Sequence, residues 1–166
     1  MATATYTPIA TQTLGSAAAS ITFSSIPGTY TDLRLVLTCT TSAADYVFLK
    51  LNGDPTGSYS QTQLQGSGTA AASSGSSTGI AYIPISVTTN STSTTIPELF
   101  TTDIFSYAGS TNKTLLATSA QDQNGSGYVT ATTGLYRSTS AITIISLGLF
   151  NGSNFSTGTI ATLWGI

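Results

Sequence analysis

Residues 20–40 read SITFSSIPGTYTDLRLVLTCT, and this stretch decides the fold. Ile21 and Phe23 flank the polar Thr22, which is a short strand pattern. Ile26-Pro27-Gly28-Thr29-Tyr30 then turns the chain, because proline presets one turn angle and glycine relaxes the next. Leu33, Leu35 and Leu37 alternate with Arg34, Val36 and Thr38, the period of two that a half-buried strand requires. One other stretch is as apolar and as regular, AITIISLGLF at residues 141–150. We expect these two to be central strands of a β-sandwich.

Outward from this core, strand patterns recur about every ten residues, the rhythm of an all-β sandwich or barrel. They fall at residues 5–14, 21–23, 33–39, 46–51, 58–64, 80–87, 99–107, 113–121, 128–136, 141–150 and 155–166. Tyr46-Val47-Phe48-Leu49-Lys50-Leu51 is nearly apolar on both faces, so it belongs in a sheet interior, and Asn52-Gly53 ends it with the strongest short turn signal. Pro84 places its strand at a sheet edge or a bulge, since proline donates nothing to a ladder. GSGTAAASSGSSTG, at 66–79, reads as a low-complexity loop, either mobile or ordered against a partner. Residues 88–95 read as a second polar loop. No window carries apolar residues at helical spacing. Ile160, Thr162 and Trp164 share one face of the last strand and Ala161, Leu163 and Gly165 the other; Trp164 is assigned to the core. The expectation is a single domain over 1–166, all-β. It is a two-sheet antiparallel jelly-roll-like sandwich with long Gly/Ser/Thr loops and essentially no helix, with residues 1–20 as an extended N-terminal arm.

The surface chemistry is unusual. Charged residues make up 6% of the 166-residue chain, against about 25% in an ordinary soluble domain. Thr and Ser, 33 and 24 of them, take the solvent-facing role instead. Four scattered cations cannot neutralise a run of phosphates, so no nucleic-acid partner is expected. A net charge of −2 gives little long-range repulsion, which favours association. No apolar run reaches the length of a membrane helix, so no membrane partner is expected. The first residues, MATATYTPIATQTLG, have neither a cationic nor an apolar signal region. Synthesis in a cytosol follows as the expectation.

Histidine is absent and Cys39 is the one cysteine. That removes Ser-His-Asp and Cys-His nucleophiles, histidine metal sites and cysteine clusters. Cys39 reads as a small buried thiol. The remaining carboxylates Glu98, Asp103, Asp122 and Asp54 are the formal candidates for a glycosidase pair, but the odd spacing of Glu98 and Asp103 puts them on opposite faces of a regular strand. NGDPTG with Asn52 and Asp54, and DQNGSG with Asp122 and Asn124, read as Asx turns in preference to calcium loops. Asn90, Asn112, Asn124, Asn151 and Asn154 open Asn-x-Ser/Thr sequons, a chance outcome in so Ser/Thr-rich a chain. The eight tyrosines serve either packing or glycan stacking. No catalytic, cofactor or metal residue is assigned, and no enzyme activity is expected.

Three blocks carry a family resemblance: residues 21–33, ITFSSIPGTYTDL; Leu51-Asn52-Gly53-Asp54 followed by Tyr59-Ser60; and residues 158–166, GTIATLWGI. Together they resemble small jelly-roll virion structural proteins of tailed, aquatic bacteriophages. The resemblance implies a non-enzymatic capsid decoration or cement protein on the outer surface of the virion. It would form a homotrimer and clamp neighbouring major capsid subunits. The alternative it implies is a tail-fibre or spike domain that recognises host surface glycans.

Overall fold

The chain forms twelve strands in the computed structural model, which describes residues 5–88 and 91–166. They are β1 (Thr7–Thr13), β2 (Ser20–Phe23), β3 (Leu33–Cys39), β4 (Val47–Leu51), β5 (Tyr59–Gly66) and β6 (Ala71–Ile80), then β7 (Ile83–Pro84), β8 (Glu98–Phe105), β9 (Lys113–Gln123), β10 (Ser126–Tyr136), β11 (Ile145–Leu149) and β12 (Ile160–Gly165). No helix occurs among the described residues.

The pairing is that of a rolled-up hairpin. β1 pairs with β12, β2 with β11, β3 with β8 and β4 with β7, all antiparallel. Rolling places β1-β12-β3-β8 in one sheet and β2-β11-β4-β7 in the other, a jelly-roll arrangement of eight framework strands. Two hairpins are inserted into this frame, β5–β6 between β4 and β7, and β9–β10 between β8 and β11. Both join the first sheet, which becomes eight-stranded in the order β1-β12-β3-β8-β9-β10-β5-β6. The fold is therefore an all-β, two-sheet antiparallel sandwich of jelly-roll type.

The core lies between the framework halves. Leu33, Leu35 and Leu37 of β3 are fully buried against Val47, Leu49 and Leu51 of β4 and Ile145 and Leu147 of β11. Each such leucine contributes on the order of 2 kcal/mol through burial. The stretch 20–40 is held by the end of the chain. Tyr30 lies so close over Gly165 that a Cβ there would meet its ring at 2.3 Å. Thr31 N donates to the Ile166 carbonyl (2.8 Å), and Ile166 N donates to the Asp32 carbonyl (3.0 Å). The Tyr107 hydroxyl donates to the Pro27 carbonyl. Elsewhere the Tyr59 hydroxyl pins β4, donating to the Leu51 carbonyl (2.9 Å) and accepting from Leu51 N (3.0 Å). The three sequence blocks are thus the joints of the frame.

Two expectations are corrected. The segment 66–79 is a hairpin, not a loop: β6 pairs with β5 over Ala71–Ser76 opposite Gly66–Gln61. Its small residues carry no side-chain pattern, and the backbone ladder alone sets their conformation. Trp164 is half-buried on the outer face of β12, beside Arg34, and not in the core. The strand pattern at 5–14 is β1, paired at the sheet edge. Residues 1–4 of the expected arm lie outside the described residues, as do residues 89–90 of the expected polar loop, with the Asn90 sequon.

Candidate functional site

The inserted hairpins give the large sheet two unequal halves. β1, β12, β3 and β8 have the small sheet behind them. Behind β9, β10 and β5 lie the small sheet's edge strand β7 and residues 85–88 and 91–97: Ile83 Cδ1 would sit 2.7 Å from a Cβ on Gly134. Leu115, Ala117, Tyr59 and Tyr136 still join the core, but the other inward-facing side chains here, Gln61, Gln63, Ser119, Gln121, Thr130 and Thr132, are polar. Gln63 Nε2 donates to the Ser86 carbonyl and to Thr132 Oγ1, both at 2.9 Å. Gln121 Nε2 donates to the Ile96 carbonyl (2.8 Å), and Ser119 bonds Thr130 (2.9 Å). Side-chain amides thus serve the backbone that a ladder would otherwise satisfy.

Glu98 stands at the border of the two halves, opposite Cys39 on β3. It is 0% exposed, and neither carboxyl oxygen has a hydrogen-bond partner. Burial pushes its carboxyl up to about 7. Ser119, whose hydroxyl bonds to Thr130, acts in the opposite direction and is outweighed by burial. Burial also pushes the Cys39 thiol up. Both groups are neutral in mildly acidic solution, and neither has the low pKa of a nucleophile.

The other candidate carboxylates are held singly. Asp103 points to the outer face, opposite in sense to Glu98, as their odd spacing predicts. It forms a bidentate pair with Arg34 (Nε–Oδ1 2.6 Å, Nη2–Oδ2 2.7 Å), and Arg34 also donates to the Tyr6 hydroxyl (2.8 Å). Asp54 Oδ1 accepts from Thr56 N (2.8 Å), and Asp122 Oδ1 accepts from Gly125 N (2.8 Å). The first is the Asx turn read from the sequence, and the second reaches three residues on, across the β9–β10 turn. Asn124 and Gly125, at φ 58° and 87°, make the two-residue hairpin turn between β9 and β10. Asp45, not singled out in the sequence, is fully buried. Its burial acts upward, but bonds from Ser153 Oγ (2.6 Å), Asn151 N (2.9 Å) and Tyr46 N (2.7 Å) outweigh it and hold the carboxyl below its usual range. Among the described residues no three acidic, Cys or His groups cluster as metal ligands. Tyr59, Tyr107 and Tyr136 are packed inside, with Tyr59 and Tyr136 stacked at 4.7 Å.

The feature the sequence reading missed is the outer face of the large sheet. Strand register aligns its residues in rows. Leu99, Ala120, Val129, Gly66 and Ala71 form one row; Thr101, Thr118, Ala131, Leu64 and Ser73 form the next; Asp103, Leu116, Thr133, Thr62 and Gly75 form the third. Val129 is 65% exposed, Leu64 60%, Leu99 48% and Leu116 44%, and Phe105 and Ile160 lie exposed on the same face. A shallow groove of about 580 Å³ runs between Leu64, Leu99, Ala120 and Val129. Apart from the mutually paired Arg34 and Asp103, these rows carry no charge. The signal was present in β9, where Leu115 and Leu116 are apolar on both faces.

No family model matches the chain, and no curated protein matches it. Among solved structures it is similar to the galectin LEC-6 of Caenorhabditis elegans, at 12% identity, with 89% of this chain and 92% of that chain covered and a TM-score of 0.37. A "Putative pore-forming toxin from Bacteroides vulgatus" aligns at 6% identity and a TM-score of 0.11, over 89% of this chain and 53% of that chain. Likeness at these scores carries no functional argument, and the fold stands on the strand pairing itself.

Proposed function

We propose that the protein is a non-catalytic structural protein that works by laying the outer face of its large sheet against other protein subunits. One observation carries this reading. Six of the eight large apolar side chains left exposed among the described residues, Leu64, Leu99, Phe105, Leu116, Val129 and Ile160, share that single face. Contiguous exposed apolar surface of this kind marks interaction sites. Eight strands span about 34 Å and the rows from Leu99 to Phe105 about 20 Å. The product, on the order of 700 Å², matches one side of a standard protein interface.

The partner class comes from the sequence. The three blocks resemble virion proteins, and a jelly roll is a common capsid fold, although fold alone does not fix function. The reading is therefore a capsid decoration protein whose partners are the major capsid protein and copies of itself. A face of Leu, Val, Ala and Thr suits such cementing, because non-ionic contact is insensitive to the salt that screens charge pairs. The test is binding to particles. Leu64→Asp with Val129→Asp is expected to abolish attachment to capsids lacking the protein while leaving its melting temperature unchanged. Attachment equal to wild type overturns the reading.

A second reading, a tail domain that binds host glycans, has its own observation. Tyr46 stacks on Phe150 at 4.6 Å, Tyr82 leans on both Phe150 and Phe48, and Phe150 is half exposed. Exposed rings of this kind serve sugar stacking. A glycan array showing binding that is lost on Phe150→Ala would favour it.

A further inference from the structure

Sheet edges invite foreign strands unless something blunts them, and three of the four edges here are blunted. β1 carries Pro8 and a register shift between Pro8 and Ala10. β2 has only four residues. β7 has two, one of them Pro84. The fourth edge, β6, has ten residues, with no proline and no charge. It is regular from Ala71 to Ser76, and Ala71–Gly75 are exposed whichever face they point to. No Asp, Glu, Lys or Arg occurs anywhere between Asp54 and Glu98.

From this contrast we infer that β6 is the self-association edge of the protein: two copies pair β6 to β6, antiparallel about a two-fold axis, joining their eight-stranded sheets into one. The strand is suited to meeting itself. A two-fold axis sets the strand against its own sequence run in reverse, so charges of one sign along it would face one another across the seam, and like charges directly opposite are destabilising. A strand of Ala, Ser and Gly has no such conflict. Every second residue of β6 turns its N–H and C=O away from β5, and a second β6 offers matching groups. A head-to-tail arrangement would need a second open edge, and Pro8 and the bulge in β1 deny it. The contact is isologous and closes at two copies, in place of the trimer expected from the resemblance. It also leaves the outer apolar faces of both copies free on a joined sheet. The pairing stands whether or not that face docks on a capsid.

The test uses the purified full chain in analytical ultracentrifugation, with hydrogen exchange read peptide by peptide. Wild type is expected to pass from monomer to dimer between micromolar and millimolar concentration, and amide protection is expected to rise with concentration within 71–80. Ser73→Lys with Ser74→Lys puts one lysine on each exposed face of the strand. It should raise the dimer dissociation constant about tenfold or more, with the monomer's melting temperature unchanged. Wild type remaining monomeric throughout overturns the inference. So does S73K/S74K dimerising as wild type does, or concentration-dependent protection that falls outside β6.

Discussion

Replacing Glu98 by Gln should flatten the protein's response to pH. Glu98 is fully buried with no hydrogen-bond partner at either oxygen, and burial holds its carboxyl up to about 7, from an ordinary 4.5. The sign follows from linkage. Below 4.5 the group is protonated in both states and its contribution is fully present. As pH rises toward 7 the unfolded chain releases the proton while the folded chain keeps it, so stability falls. Above 7 both states are ionised and the slope ends. A difference of this size corresponds to about 3 kcal/mol in full, of which roughly 2 to 3 kcal/mol falls between pH 5 and pH 8. The window is clean. The chain has no histidine, Asp45 and Asp54 are held below their usual range, and burial pushes the Cys39 thiol up, out of the window. The α-amino group is common to both proteins and cancels in their difference. The assay is urea unfolding of wild type and E98Q at half-unit pH steps. Wild type is expected to lose stability from pH 5 to 8 while E98Q does not, so that E98Q is the more stable protein at pH 8. Parallel curves for the two proteins would refute the assignment of a neutral, unpartnered Glu98.

Other consequences follow from the packing. Gly165→Ala drives a Cβ into the Tyr30 ring and should cost about 1 to 3 kcal/mol by denaturant unfolding; in a Tyr30→Ala background most of that cost should vanish. Asp45→Ala leaves the donors of Tyr46, Asn151 and Ser153 without their acceptor and should cost about 3 kcal/mol or more, read by the same unfolding measurement. Leu116→Asp, on the outer face, should leave the melting temperature within a degree or two of wild type and weaken capsid attachment in a pull-down against particles.

Much of the frame was legible because its strands alternate cleanly. Leu33, Leu35 and Leu37 gave β3 with its burial pattern, Pro84 marked an edge strand, and the odd spacing of Glu98 and Asp103 put them on opposite faces. Cys39 is buried, as its place at the end of a strong strand suggested. What escaped the sequence is what the insertions built. β6 is a strand only because β5 offers it a ladder; Ala, Ser and Gly encode no face. Trp164 looked like core because it is large and apolar, yet β12 turns Ala161 and Leu163 inward and leaves Trp164 beside Arg34. The exposed rows through Leu64, Leu116 and Val129 were invisible for a related reason. Alternation tells which residues share a face, not which face a second sheet will cover. Here every covering segment lies on the inner side of the large sheet, and no stretch of sequence states which side stays open.

A structural protein docked on a capsid by the outer face of its large sheet sits there in a fixed number and orientation. The most direct measurement is its copy number and orientation in intact particles, by quantitative mass spectrometry and cryo-electron microscopy of the same preparation. Docking of this kind predicts hundreds of copies on the head, with Leu64, Leu99 and Val129 against the major capsid subunits. A handful of copies at the tail, or an outer face turned to solvent, would contradict it.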